Sequence, residues 1–156
     1  MTDILSVLRA VEPSLEGLRR WRVERSHPGD HNDYAWATTR PEELFRCAAV
    51  LYPRFIEVEG AVVLADHYEP ENWRSWRATY ANAYQTAAMI NHTHLDGTMP
   101  GDVEELLRLE EPLGELVAAF WQLAADRQFP GAGVEVTWTG YTLHVTQPAR
   151  LASPAS

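Results

Sequence analysis

The sequence predicts an α+β domain in which a small antiparallel sheet, built from two hairpins, packs against three or more helices. Two segments carry β-branched or alternating residues on both sides of a turn sequence, which is typical of hairpins. Several others place apolar residues at intervals of three or four, which is typical of amphipathic helices. The 156 residues, 46% of them hydrophobic, fit one globular domain. We expect this domain over 1–148 and a flexible tail over 149–156.

The first predicted element is helical. Apolar residues recur at helical spacing near the start of the chain: Ile4, Leu8, Val11, Leu15 and Leu18. Pro13 falls inside this pattern, and proline lacks the N–H that a helix interior requires. We therefore expect a kink at Pro13 or two short helices.

The next segment, "RSHPGDHNDYAWATT" (25–39), loses this periodicity and gathers Pro, Gly, Asp and Asn. These residues favour turns and loops. We expect a loop that leads into a short strand around Tyr34 to Thr38.

Another helix is predicted from "TRPEELFRCAAVLY" (39–52). Thr39 and Glu42 have capping-box spacing, and Pro41 suits an early helical position. The expected apolar face consists of Leu44, Phe45, Ala48, Leu51 and Tyr52. Cys47 lies at the edge of this face and is expected to be a buried small hydrophobe.

The first hairpin is predicted in "RFIEVEGAVVLADHY" (54–68), which is rich in β-branched residues and is interrupted by Glu59-Gly60. An acidic residue followed by glycine between two such runs is a turn signal. The register of this hairpin is ambiguous from the sequence.

One long aromatic helix is predicted next, beginning near Pro70. At 100° per residue the following residues share one side: Trp73, Trp76, Tyr80, Tyr84, Ala87 and Asn91. Projected forward, the helix carries His94 on this stripe and His92 on the flank. Gly97 supplies the expected helix end.

The segment "GDVEELLRLEEPLGELVAAFWQLAADRQFPG" (101–131) predicts two helical pieces, the second beginning near Pro112. Five apolar residues of the second piece are expected to face inward: Leu113, Leu116, Val117, Phe120 and Leu123.

The last predicted element is a hairpin in "VEVTWTGYTLHV" (134–145). A two-residue turn at Thr139-Gly140 pairs Glu135 with His144 and Thr137 with Thr142. The other face then consists of Val134, Val136, Trp138, Tyr141, Leu143 and Val145.

Composition excludes several function classes. A formal net charge of −9 argues against nucleic-acid binding, which needs a basic surface. All 13 basic residues are arginine, so Schiff-base chemistry and a P-loop lysine are excluded. The single cysteine fits a reducing cytoplasm, and no apolar run has the length of a membrane span. The sequence also lacks the GxSxG, HExxH and CxxC signatures.

Four residues are candidates for a ligand pocket, because the aromatic stripe becomes polar at its end: Tyr80, Tyr84, Asn91 and His94. A helix terminus explains the same histidines without any ligand. Trp73, Trp76 and the neighbouring Arg77 are the candidate interaction surface, since aromatic residues and arginine are enriched at interfaces.

A metal site is an alternative interpretation of the histidines. The candidate ligands of a divalent metal are His27, His31, His67 and His94, with Asp30 and Asp33 in the loop between His27 and Asp33. Their spacing matches no specific metal motif, and no cofactor is otherwise predicted.

These observations favour a small acidic cytoplasmic protein-interaction module, an accessory, regulatory or immunity-type partner that binds another protein through an aromatic and acidic surface. A homo-oligomer is a further option. The alternative is a metal-dependent enzyme or a small-molecule-binding domain that uses His94, His67 and the loop from His27 to Asp33.

Overall fold

The computed structural model describes residues 3–25, 30–95 and 103–149, and it confirms the α+β class. Its α-helices are α1 (Ile4–Val11), α2 (Glu16–Glu24), α3 (His31–Thr38), α4 (Pro41–Leu51), α5 (Pro70–Thr79), α6 (Ala83–Asn91) and α7 (Val103–Gln128). Its strands are β1 (Phe55–Val58), β2 (Ala61–Leu64), β3 (Thr93–His94), β4 (Glu135–Trp138) and β5 (Thr142–Thr146). No helix in the described ranges combines the length and hydropathy needed to cross a membrane. Of the predicted tail, residues 150–156 lie outside these ranges.

The N-terminal segment forms two short helices, as predicted from Pro13. The Asp3 carboxylate caps α1 by accepting the Leu5 N–H at 3.2 Å. A 3₁₀ turn, Glu12–Ser14, then separates α1 from α2, because Pro13 has no N–H to continue the α-helical ladder. Leu18 of α2 is completely buried.

Residues 31–38 form helix α3, so the predicted strand at Tyr34 to Thr38 is wrong. Asp30 begins this helix: its carboxylate accepts the N–H groups of Asn32 at 2.8 Å and Asp33 at 3.0 Å. The Asp33 carboxylate accepts the Asp30 N–H at 3.3 Å in return. This reciprocal capping satisfies the free donors of a helix end. Residues that favour turns therefore start a helix here.

Helix α4 begins at Pro41, and its cap lies one residue later than predicted. The Glu43 carboxylate accepts the Arg40 N–H at 2.9 Å, so Glu43 rather than Glu42 completes the cap. Helix α4 packs against α7, but this contact does not cover the whole predicted apolar face. Phe45 on the predicted apolar face is consequently 78% exposed. Cys47 is exposed as well, so the prediction of a buried thiol is wrong.

The first hairpin is confirmed, with β1 and β2 antiparallel and Val58 opposite Ala61. Its turn residues have positive φ angles, 51° at Glu59 and 81° at Gly60, as in a type I′ turn. Non-glycine residues seldom adopt this conformation. The Glu59 carboxylate accepts the Nε1–H of Trp73 and the Nε–H of Arg77, each at 3.0 Å. These bonds tie the turn to α5.

The aromatic segment forms two helices rather than the single long helix predicted. Helix α5 ends at Thr79, and α6 begins after Asn82, whose side chain accepts the Gln85 N–H at 2.9 Å. Asparagine is among the best N-cap residues. The apolar periodicity of the sequence continues across the break, but the helical conformation of the backbone does not.

Helix α6 ends at Asn91, so the prediction that it continues through His94 is wrong. Thr93 and His94 instead form β3, which pairs antiparallel with β5. Gly97, the expected helix end, lies outside the described residues.

Helix α7 is continuous through Pro112, so the predicted break is wrong. A proline removes one helical hydrogen bond, but the two halves of α7 are held by packing against α1 and β4. Val117 is buried as predicted, whereas Leu123 is 52% exposed.

The second hairpin has a longer turn than predicted. Trp138 pairs with Leu143 and Thr137 with His144, a shift of two residues from the expected register. Because side chains alternate with a period of two, the two strand faces keep their predicted composition. Tyr141 falls in the turn and is 59% exposed.

The two hairpins belong to separate sheets, one of order β1-β2 and one of order β3-β5-β4. Helix α6 packs against both β2 and β5. One apolar cluster lies between α7 and the three-stranded sheet, with Trp121 and Leu143 at its centre. The other lies between β2, α5 and α6 and includes Trp73 and Ile90.

A buried side-chain amide completes the outer edge of β2. Asn91, which is 1% exposed, accepts the Leu64 N–H at 2.8 Å and donates to the Val62 carbonyl at 2.9 Å. Gln147 accepts the Val62 N–H at 2.9 Å and donates to the Ala132 carbonyl at 3.1 Å. Buried backbone groups need such partners.

The outer edges of β4 and β1 are completed in the same way. Each amide binds a carbonyl and the N–H two residues later, as a neighbouring strand would. The pairs are Gln122 with Val134 and Val136, at 2.9 and 2.8 Å, and Gln128 with Pro53 and Phe55, at 2.8 and 2.9 Å.

Candidate functional site

A groove with a volume of about 440 Å³ lies between α7 and β4. We call it the α7–β4 groove. Its lining includes Glu111, Glu115, Ala118 and Gln122 of α7 and Glu135 and Trp138 of β4. Because β4 is the outer strand of the three-stranded sheet, the groove runs along a sheet edge. Gln122 already binds the Val134 carbonyl and the Val136 N–H of this edge, so a partner would bind through side chains and not as an added strand.

Trp138 forms one wall of the groove and is fixed at two points. Its indole Nε1 donates to the Glu111 carboxylate at 2.8 Å. The ring also lies directly on α7 at Gly114, where a Cβ atom would come within 2.2 Å of Trp138 Cε2. A tryptophan held in this way presents a preorganised aromatic surface, which lowers the entropic cost of binding.

Gln122 sets the spacing between α7 and β4 through its two bonds to Val134 and Val136. The small side chains of Ala118 and Ala119 line the groove beside it. Small residues on this side of α7 leave the space that a partner side chain would enter.

The groove is acidic. Glu115 is half-buried and Glu135 is exposed, and in the described part of the chain neither carboxylate has an ion pair or a hydrogen bond. Glu111 adds a third negative charge beside the indole. Carboxylates next to an aromatic ring suit a guanidinium or ammonium group, which gains both ion pairing and cation–π attraction.

The four residues of the predicted ligand pocket have different neighbours. The Tyr80 ring lies 5.9 Å from the Trp76 ring, and Tyr84 packs against the apolar cluster of β2, α5 and α6. Both ends of the Asn91 amide are bound to β2, so Asn91 is not available to a ligand. For the remaining three residues the pocket stays a prediction.

His94 lies on β3 among polar and aromatic groups. Its Nδ1 is 3.0 Å from the Thr142 hydroxyl oxygen, and its ring is parallel to that of Tyr141 at 6.3 Å. The His92 ring meets the His94 ring edge to face at 5.3 Å. In extended backbone the two histidines are thus neighbours, although on a helix they would point apart.

The three residues of the predicted interaction surface differ in exposure, since only Trp73 is buried. Trp73 is 3% exposed, so a partner cannot reach it. Trp76 is half-buried, and Arg77 binds Glu59 and the Tyr80 carbonyl. The hydrogen bond from Trp73, followed by that from Arg77, lowers the pKa of Glu59 below its ordinary value.

The predicted metal ligands are placed as follows. His27 lies outside the described residues, and His31 is the first residue of α3. The Nδ1 of His67 is 3.0 Å from the Ile90 carbonyl oxygen, while Asp30 and Asp33 cap α3. Among the residues described, no three His, Cys, Asp or Glu side chains are grouped to hold a metal.

The sequence prediction missed the α7–β4 groove, because its lining residues come from two elements and are between 13 (Gln122 to Glu135) and 27 (Glu111 to Trp138) positions apart. One residue in the sequence, Gly114, does indicate a close contact on this helix. A glycine inside a helix costs about 1 kcal/mol relative to alanine, so its presence indicates a close approach by another group. The sequence does not say that this group is Trp138.

No protein-family model, curated protein or solved structure matches this chain.

Proposed function

We propose that this protein is a protein-interaction module that binds a basic segment of another protein in the α7–β4 groove. The observation that carries this proposal is the set of three glutamates around a fixed indole at a sheet edge. The sequence favours an aromatic and acidic binding surface, and we infer that Trp138, not Trp73, is its aromatic part.

The charge of the whole chain supports the same kind of partner. With a net charge of −9, the protein attracts cationic surfaces and repels nucleic acid and acidic proteins. Complementary charge accelerates association and excludes wrong partners. We place this module in a reducing compartment such as the cytoplasm, which suits its single, exposed Cys47.

The binding experiment uses a short peptide that alternates arginine and serine, titrated by calorimetry. We expect binding that weakens as the ionic strength rises, because exposed charges are screened by salt. The double variant Glu115→Gln/Glu135→Gln should bind about tenfold more weakly, since each exposed ion pair contributes up to about 1 kcal/mol.

The matched control is Glu69→Gln/Glu71→Gln, which removes the same charge at the start of α5. It should keep the affinity of the unaltered protein for the peptide. A peptide that alternates glutamate and serine should not bind. Equal weakening by the two double variants, or equal binding of the two peptides, contradicts the proposal.

A further inference from the structure

A second cavity, of about 270 Å³, lies between the last turn of α4, the open end of the first hairpin, β3 and α7. Its walls are mainly apolar, formed by Val50, Leu64, Leu95, Val117 and Trp121. The Trp121 indole is held in place because its Nε1 donates to the Val50 carbonyl at 2.7 Å. An apolar cavity with a few polar groups at its opening is the usual form of a small-molecule site.

Two opposite charges lie at this cavity, on Arg54 and Asp66. Both side chains are exposed, and neither has a side-chain partner in the described part of the chain. The two residues are close along the hairpin, since the Ala65 N–H donates to the Arg54 carbonyl at 2.9 Å. Among the described residues, the cavity therefore offers one unpaired cation and one unpaired anion beside an apolar interior.

His67 adds a hydrogen-bond acceptor to the same cavity. Its Nδ1 is 3.0 Å from the Ile90 carbonyl oxygen, which can only accept, so Nδ1 carries the proton. In the neutral ring Nε2 is then an acceptor. Asp66 and His67 together provide acceptors for a cationic donor group.

We propose that this cavity binds a small zwitterion with an apolar side chain, that is, a free apolar α-amino acid. The Arg54 guanidinium pairs with the α-carboxylate, for which its planar donors are suited. The α-ammonium donates to the Asp66 carboxylate and to His67 Nε2. The side chain packs against Leu64, Val117 and Trp121. This site is independent of the α7–β4 groove.

The test is an NMR titration of the ¹⁵N-labelled protein with L-phenylalanine at millimolar concentration. The Trp121 indole N–H signal should shift and saturate, while the Trp138 indole signal in the α7–β4 groove should not. L-Alanine lacks the apolar group, L-phenylalaninamide lacks the carboxylate, and N-acetyl-L-phenylalanine lacks the ammonium. Each should bind more weakly than L-phenylalanine.

The variants Arg54→Gln and Asp66→Asn should each weaken binding about three- to tenfold. This loss of affinity lies between that expected for an exposed ion pair and that expected for a hydrogen bond to a charged group. The charge-matched controls Arg127→Gln and Glu57→Gln, at exposed residues outside the cavity, should leave the affinity unchanged. An unshifted Trp121 signal overturns the proposal. The proposal is also overturned if L-phenylalaninamide, N-acetyl-L-phenylalanine or L-alanine binds as tightly as L-phenylalanine. These comparisons use the unaltered protein, so they do not depend on whether a variant folds.

Discussion

Residues 3–52 and residues 53–149 are built in different ways. Of the twenty buried hydrophobic residues in the described chain, only Val7 and Leu18 lie in the first region. Of the eleven large hydrophobic residues that are exposed in the described ranges, seven lie there, and Trp36 is 76% exposed. The first region is organised mainly by local caps and short helices. The second depends on contacts between residues far apart in sequence.

The same residue type therefore makes different contacts in the two regions. In the first region the asparagine side chain is exposed, the glycine touches a movable side chain and the carboxylate binds its own helix. Their counterparts in the second region join separate elements. Three matched substitutions test this difference, in decreasing order of expected effect.

The largest effect is expected for Asn91→Ala. This change leaves the Leu64 N–H and the Val62 carbonyl buried without partners, and each lost partner costs about 1–3 kcal/mol. We expect the free energy of unfolding in urea to fall by about 2–4 kcal/mol. Asn32→Ala in α3, where the side chain is exposed, should change it by less than about 0.5 kcal/mol. Similar losses at both sites would remove the distinction between the regions.

The two helical glycines Gly114 and Gly17 provide the second comparison. A Cβ at Gly114 meets the rigid Trp138 ring at 2.2 Å, whereas a Cβ at Gly17 meets the far end of the Tyr34 side chain, with the hydroxyl oxygen at 2.4 Å and Cζ at 3.4 Å. Gly114→Ala should lower the free energy of unfolding, measured by thermal melting, by about 1–3 kcal/mol, because the added methyl group overpacks the contact with Trp138. Gly17→Ala should be nearly neutral, because the end of the Tyr34 side chain can move.

A double variant identifies the cause of the Gly114 effect. In a Trp138→Ala background the obstacle is gone, so Gly114→Ala should become neutral or stabilising, since alanine favours helices by about 1 kcal/mol over glycine. An unchanged destabilisation in that background would show that Trp138 is not the reason for the glycine.

The smallest effect concerns two carboxylates with lowered pKa values. The pKa of Asp3 is lowered by its own helix, first by the Ser6 hydroxyl and then by the Leu5 N–H. The pKa of Glu59 is lowered by Trp73 and Arg77 of α5. Because both pKa values are lower in the folded state, the stability they contribute is present above the ordinary carboxylate pKa and is lost as the pH falls through the folded values.

Arg77→Gln should raise the pKa of Glu59 only part of the way towards its ordinary value, since the hydrogen bond from Trp73 remains. The pKa of Asp3 should not change. Ser6→Ala should raise the pKa of Asp3 and leave the pKa of Glu59 unchanged. A carboxyl ¹³C NMR titration measures both values. If Arg77→Gln leaves the pKa of Glu59 unchanged, the bond between the turn and α5 has no influence on that group.

The elements that the sequence predicted correctly have local causes. Glu59-Gly60 and Pro13 act on their own backbone, so the first hairpin and the division of α1 from α2 were predictable. The break at Asn82 has a local cause as well, but the regular spacing of Tyr80 and Tyr84 across it concealed the cap. Pro112 shows the opposite case, in which packing keeps a helix continuous despite an unfavourable residue.

The candidate sites were less predictable than the fold, because they depend on distant contacts. The prediction included His67 among its candidate site residues, but not Arg54 or Trp121, which line the same cavity from other parts of the chain. It placed the aromatic interaction surface at Trp73, and the burial of Trp73 follows from its position between α5 and β2. Which tryptophan faces a groove is decided by tertiary packing, not by spacing.

The amides that complete the strand edges make this fold sensitive to chemical ageing. Deamidation of Gln122, Gln128 or Asn91 replaces a donor NH₂ group by a carboxylate oxygen. That oxygen would face the carbonyl of Val134, Pro53 or Val62, so an attraction becomes a repulsion between two acceptors. A loss of ammonia at a single one of these amides would therefore loosen a sheet from its edge, without any change in the apolar core.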